Sequence, residues 1–536
     1  MTEDRSLQPP GSSVGEPPQI IGALGRVPND ESGRTFKRRL LTLLAIMGPG
    51  LIVMVGDNDA GGISTYAQAG QNYGYSLLWV LLLLIPVLVV NQEMVVRLGA
   101  VTGVGHARLI RERYGRFWGW FSIGDLFVLN FLTITTEFIG IALALEYLGV
   151  TRFIAVPVAA FVLVAMTASG SFQRWERAML VLVVASLLLV PLALLSQPNW
   201  SSAAYHFFIP GVSGGVTSNA VLLIIAIVGT TVAPWQLFFQ QSNVIDKRIT
   251  PRFIKYELAD TIIGSVIVVL GAGALMLIAA YAVRGTPLAG HFTDALGIAR
   301  ALGNIHHVLG VIFAVVLLDA SVIGAAAVTL STSYAFGDVF NMSHSLHRSF
   351  REAKAFYGIF TGLVCAAAAI VLIPGAPLGL IVTAVQALAG LLLPSASVFL
   401  LLLCNDPQVL GPWTNPKWLN ALASLIIAVL LVLSGTLMAS TVFPHADVAQ
   451  LAIWIAVGVF SVGLASGLVI TLLVRRRPRV GPEFDRSTRL SWRMPQLALL
   501  EPVKWSPALK FAMGSLWAYL VLAAILLVVK AFSLAH

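Results

Sequence analysis

From residue 42 to residue 533 the chain is a succession of apolar runs, each long enough to cross a bilayer. One crossing needs about 20 apolar residues. Thirteen such runs can be drawn, approximately 42–72, 75–97, 117–148, 152–170, 176–197, 217–243, 257–284, 306–336, 355–374, 378–403, 416–440, 448–474 and 508–533. In hydrocarbon every backbone N–H and C=O must be bonded within its own segment, so runs of this length become helices. The expected fold class is therefore an all-α polytopic membrane protein. Composition agrees: 57% of the 536 residues are hydrophobic and 11% are charged, a balance foreign to soluble domains.

The net charge of +9 invites a nucleic-acid reading, but its placement argues against one. If the N-terminus lies inside, the connections after runs 2, 4, 6, 8, 10 and 12 should be basic. They hold Arg108, Arg111, Arg113 and Arg116, then Arg174 and Arg177, then Lys247, Arg248, Arg252 and Lys255. Further along come Arg348, Arg351 and Lys354, then Lys417, then Arg475, Arg476, Arg477 and Arg479. The opposite connections hold Arg152, Arg284 and Arg300. This alternation predicts a multi-pass plasma (inner) membrane protein with a cytoplasmic N-terminus, in contact with lipid and not with nucleic acid. A monomer is expected. Residues 1–41, polar and carrying Pro9, Pro10, Pro17 and Pro18, read as a disordered cytoplasmic tail. Cys365 and Cys404 fall in apolar runs and suggest neither a disulfide nor a zinc site. No nucleophile–base pair or phosphate loop is legible, so neither an enzyme nor a bound cofactor is expected.

Two runs are irregular. The first, GPGLIVMVGDNDAGGISTYAQAG at Gly48–Gly70, sets Asp57, Asn58 and Asp59 in its middle, followed by Ala60, Gly61 and Gly62. Each carboxylate at bilayer depth costs at least about 2.5 kcal/mol, and paired glycines weaken a helix. Both together imply unwound backbone lining a polar cavity, hence a discontinuous helix with an ion site in its break. Run 6 is the second, with Thr230, Thr231, Pro234 and Gln236 mid-membrane; Pro234 cannot donate to the helix ladder. Corresponding breaks five crossings apart point to a transporter of inverted repeats with a midplane site. The repeats would be 42–197 (spans 1–5) and 217–403 (spans 6–10). Spans 11–12 at 404–474, a basic cytoplasmic loop at 475–507 and span 13 within 508–536 would follow.

Several ordered motifs carry a family resemblance: GPG before a mid-helix Asp, RLGAVTG at Arg97–Gly103, TEFIGIALAL at Thr136–Leu145, Pro234 in span 6, and LPSASVFLLLLCND at Leu393–Asp406. Over spans 1 to 11 the chain resembles the Nramp family of divalent metal transporters. That resemblance implies a LeuT-like 5+5 inverted repeat with discontinuous helices 1 and 6, plus additional C-terminal transmembrane helices. It also implies a divalent metal ion as substrate. The family motif Asp-Pro-Gly-Asn reads Asp59, Ala60, Gly61, Gly62 here, keeping the metal-binding Asp and losing the ligand Asn. The motif Met-Pro-His reads Ala233, Pro234, Trp235, losing the sulfur ligand and the His tied to proton movement. In span 3 the family's Asp is Ile134, while its Glu is kept as Glu137. This pattern resembles the Nramp-related magnesium transporters.

Ligand chemistry points the same way. A thioether favours softer transition metals, whereas Mg²⁺ keeps several waters and takes one or two carboxylates. The expected metal residues are Asp57, Asp59, Glu137, Ala233 through its freed carbonyl, Gln236 and Gln386. Gln386 occupies the family position where a Gln reaches the ion. Capping of the broken helix is the competing role for Asp59, Asn58 and Gln236. Asp57 can join Asp59 only if the backbone between them is unwound. Asp319, Gln92 and Glu93 read as path-lining or structural, and His206, His291, His306 and His307 as solvated. The expected function is import of Mg²⁺, with Mn²⁺ tolerated and weak proton coupling. An ordinary proton-coupled Mn²⁺/Fe²⁺ transporter is the alternative.

Overall fold

The computed structural model describes residues 19–22, 25–28, 36–168, 170–342, 344–443, 446–475, 489–503, 505, 509–510 and 512–522. A short hairpin, β1 (Gln19–Gly22) and β2 (Gly25–Pro28), precedes α1 (Phe36–Ile46), α2 (Pro49–Gly56), α3 (Ala60–Tyr73), α4 (Leu78–Thr102) and α5 (His106–Tyr114). Then come α6 (Arg116–Tyr147), α7 (Arg152–Thr167), α8 (Phe172–Ala185), α9 (Leu189–Leu195) and α10 (Trp200–Phe208). The second half contains α11 (Ser218–Thr231), α12 (Pro234–Asp246), α13 (Ile254–Ala282), α14 (Ala295–Ile305) and α15 (His307–Phe340). Last are α16 (Lys354–Val371), α17 (Leu378–Cys404), α18 (Pro407–Leu410), α19 (Lys417–Val442) and α20 (Val448–Arg475).

Ten described helices are long and apolar enough to span a membrane, or eleven if the bent pair Arg39–Ile46 with Gly50–Gly56 is one span. The thirteen runs differ from these in identifiable places. Run 1 is broken, so neither half is long enough alone. Run 4 yields only the shorter apolar helix Arg152–Thr167, and run 13 is described only as Ala512–Leu522. Most of the arginine run at 475–479 lies outside the described residues.

The expected disordered tail also differs within residues 1–41. Ile20 pairs with Val27 in the hairpin, Ile20 is buried, and β1 rests on α1 and α8. The proline-rich composition masks this short apolar pair, and α1 begins six residues before the expected first run, at Phe36.

Each interrupted or central crossing packs against its counterpart in the other repeat. Helix α3 lies on α11 and α2 on α12; α4 lies on α13; α6 lies along α15. This crossed pairing is the signature of the LeuT-like inverted repeat, and it brings both breaks to the middle of the bundle. Helix α17 closes one side by packing on α3, α6 and α11. At the periphery α20 exposes Trp454 and Leu464. Helix α20 packs on α19 and turns these apolar side chains outward, as a helix with the bilayer as its solvent does.

Candidate ion site

The break in span 1 falls at Asp57–Asp59, between α2 and α3. Asp59 takes an extended backbone and caps α3, its Oδ1 accepting from Gly62 N at 2.7 Å. Asp57 is fully buried, and neither of its carboxylate oxygens has a hydrogen-bond partner among the described residues. It lies within electrostatic reach of Asp59 and of Tyr66. The Tyr66 hydroxyl bridges to Thr231 Oγ1 of α11 at 2.7 Å, so the first break faces the second.

The glycines have a different job from the one their helix propensity suggested. Gly61 and Gly62 sit inside α3, not in the unwound segment. A Cβ at Gly62 would stand 2.6 Å from the Asp57 carbonyl oxygen. A Cβ at Gly61 would collide with Gln386 Nε2 and lie 3.2 Å from Asp59 Oδ1. Small residues here let the backbone fold tightly and let the α17 carboxamide reach the acids.

Glu137 arrives from α6. Its Oε2 accepts from Ala60 N at 3.1 Å, and its carboxyl contacts that of Asp59. Gly324 of α15 backs both: a Cβ there would be 2.6 Å from Glu137 Oε2 and 2.9 Å from Asp59 Cβ. Asp57, Asp59, Glu137 and Gln386 thus converge on the break, each buried. Among the described residues, however, no three His, Cys, Asp or Glu side chains are grouped closely enough to hold a metal by themselves.

The two residues expected on span 6 make hydrogen bonds of their own at the second break. Thr231 ends α11, Val232 and Ala233 leave the helix, and Pro234 starts α12. The Ala233 carbonyl accepts from Gln236 N at 3.2 Å. Gln236 Nε2 donates to Thr231 O at 3.4 Å, and its Oε1 accepts from Gln92 Nε2 at 3.3 Å. It caps the first half-helix and ties it to α4. Asn58 Nδ2 donates to Val268 O of α13 at 3.3 Å, a structural role.

The remaining polar residues resolve simply. Asp319 accepts from Ser186 Oγ at 2.8 Å, and Glu93 pairs with Arg97 at 2.9 Å. His206 is half-buried, while His291, His306 and His307 are exposed. Sequence reasoning missed one cluster. Lys247, counted above as a loop charge, is fully buried against Glu176 at 2.7 Å. It also donates to Ile46 O and Met47 O, at 2.6 and 3.0 Å. Asp260 accepts from Gly50 N at 2.9 Å. The acids of span 7, Glu257 and Asp260 in an otherwise apolar run, were the available signal.

A bundle of paired inverted repeats with two interrupted crossings, and carboxylates buried where they meet, defines a LeuT-type membrane transporter fold. The chain is similar to solved structures of that kind. The Eremococcus coleocola manganese transporter, in complex with an aromatic bis-isothiourea substituted compound, superimposes with TM-score 0.64 at 22% identity, over 87% of this chain and 99% of that one. MhsT in complex with L-phenylalanine gives TM-score 0.52 at 13% identity, over 72% and 98%. In sequence, the divalent metal cation transporter MntH of Ralstonia nicotianae is 28% identical over 406 residues, covering 73% of this chain and 89% of that protein. MntH 1 of Pseudomonas aeruginosa is 28% identical over 419 residues, covering 74% and 92%. The family described as Nramp, natural resistance-associated macrophage protein-like, matches residues 50–440. The chain belongs to the Nramp family.

Proposed function

We propose that this protein carries divalent metal cations across the plasma membrane by alternating access, with Mn²⁺ as the cargo. The observation that carries the reading is Asp57: a wholly buried carboxylate with both oxygens unbonded, beside a second acid. Its isolated charge would cost several kcal/mol there, and a transported dication supplies the compensation. Asp59, Glu137 and the Gln386 carboxamide add oxygen ligands. Spans 1, 2, 6 and 7 would rock against α6 and α15, with the basic end of the bundle cytoplasmic. At about 2.3 kcal/mol per charge per 100 mV, two charges gain about 4.6 kcal/mol from the membrane potential.

The named relatives support manganese better than the magnesium preference expected from the sequence. One observation keeps Mg²⁺ as a second reading: Ala233 and Gly62 bring neither sulfur nor an amide to the breaks, leaving oxygen ligands that suit a hard, partly hydrated ion. Competition in reconstituted vesicles separates the two. Radioactive Mn²⁺ uptake that resists millimolar Mg²⁺ supports the manganese reading, and acidification of the lumen during uptake identifies proton coupling. Uptake abolished by equimolar Mg²⁺ supports the second. Absence of uptake above empty vesicles defeats both.

A further inference from the structure

Helix α12 carries Gln236, Gln240 and Asn243, and Lys247 caps its C-terminus in helical backbone; at i, i+4, i+7 and i+11, a 3.6-residue repeat places the four in one stripe. All four are buried at 1% exposure or less. The two ends of the stripe are bonded: Gln236 to Gln92 and Thr231, and Lys247 to Glu176 and to the carbonyls of Ile46 and Met47 just before α2. The middle is not. Among the described residues Gln240 has neither carboxamide atom bonded, nor has Asn243, and on the neighbouring α4 Asn91 Nδ2 and Gln92 Oε1 are also unpartnered. Helix α12 packs against both α4 and α2, so this column runs from the midplane break to the point where Lys247 pins the start of α2.

An amide buried without a partner costs about 1–3 kcal/mol. Four such atoms in one stripe of α12, beside a helix that the transport cycle must move, call for a polar guest. Their neutrality fits that guest. Carboxylates would trap a dication, and alkyl groups would exclude it. Carboxamides offer oxygens to its hydration waters without a charge that holds it back.

We propose that Gln240 and Asn243 line the route by which the hydrated divalent cation leaves the carboxylate site toward the Lys247 end of the bundle, and that Lys247 closes that route in this structure. The proposal rests on the reading of the protein as a divalent cation transporter. It is tested with two paired variants in reconstituted vesicles, Q240L/N243L and Q240S/N243S, each also titrated with Mn²⁺ by calorimetry in detergent. The leucine pair slows Mn²⁺ uptake about tenfold or more, while Mn²⁺ affinity stays within about twofold, because burying apolar groups removes the oxygens but leaves the acids. The serine pair keeps about half the rate, since hydroxyls also serve hydration waters. Wild-type uptake by the leucine pair overturns the route alone, as does a fall in affinity parallel to the fall in rate. A serine pair as slow as the leucine pair overturns it too. A wild-type protein that binds Mn²⁺ and carries none overturns the transport reading together with the route.

Discussion

The break between α2 and α3 spans Asp57 to Asp59 and carries two carboxylates; the break between α11 and α12 spans Val232 and Ala233 and carries none. Around the first, polar groups converge from two other helices, Glu137 from α6 and Gln386 from α17, and Tyr66 joins them from α3 itself, all buried. Around the second, the Thr231 hydroxyl closes α11, and neutral amides follow downstream along α12. One repeat has concentrated negative charge at a point, and the other has spread uncharged oxygens along a line. The two halves share a backbone plan, and their side chains divide the labour between holding an ion and letting it go.

The comparison is most directly broken at the two acids themselves, which differ in a measurable way. Asp57→Ala and Asp59→Ala should both reduce Mn²⁺ uptake to background, a loss of about 100-fold or more if each supplies a direct oxygen ligand. Their effects on stability should have opposite signs. Removing Asp57, an unbonded buried acid, raises the metal-free melting temperature, because a desolvation penalty of about 1–3 kcal/mol disappears. Removing Asp59 lowers it, because a helix cap of about 1 kcal/mol is lost. Thermal denaturation without metal checks this; shifts of the same sign would refute the assigned difference. Next in size is Gly324→Ala. Its Cβ would stand 2.6 Å from Glu137 Oε2 and 2.9 Å from Asp59 Cβ, so the acids must move apart. Uptake should fall about tenfold, with about 1–3 kcal/mol of overpacking strain. Normal uptake and stability would mean that this contact does not position the site.

Ala233→Met probes the other break. It offers a thioether where the chain has a methyl group, and the span 6 break should then favour softer ions. The expected change is about a few-fold gain for Cd²⁺ over Mg²⁺ in competition assays. An unchanged order of competition would show that position 233 does not face the ion.

How much of this was readable beforehand follows the same division. Asp57, Asp59, Glu137 and Pro234 announce themselves because an acid or a proline in an apolar run is expensive, and cost is what periodicity exposes. The expectation of inverted repeats with a midplane site followed from the two interruptions. The roles of Gly61 and Gly62 did not: helix propensity placed them in the break, whereas the structure uses them for close approach by Gln386 and the Asp57 carbonyl. The contacts of Gln236 with Thr231 and Gln92 were not legible, because an amide's partner depends on its neighbours across the bundle. Lys247 reads as an orientation charge from its place after span 6, and only packing shows it buried against Glu176. Gln240 and Asn243 carried no signal alone. Their meaning is that nothing among the described residues bonds them.

The smallest expected effect lies outside the membrane, at the end of the bundle toward which the amide column runs. His344 Nε2 sits 3.1 Å from Asp338 Oδ1. The same connection holds the end of α12, where Ser345 Oγ and Leu346 N donate to Asp246 at 3.0 and 3.3 Å and Tyr334 donates to the same carboxylate. Burial pushes the His344 imidazole down, but the Asp338 carboxylate outweighs it and holds the group up to about 9, aided by hydrogen bonds from the ring to Asp338 and to Met342 O. A group raised above its unfolded value of about 6.5 stabilises the fold fully below that value and loses the contribution as pH rises through about 9. His344→Ala should therefore lower the melting temperature by about 2 °C at pH 6.5 and by nothing measurable at pH 10. Mn²⁺ affinity should stay as in the wild type at both, because the carboxylate break lies at the far end of α12. An equal loss at the two pH values would remove the ion pair from the account, and a weakened affinity would join the two regions that the structure keeps apart.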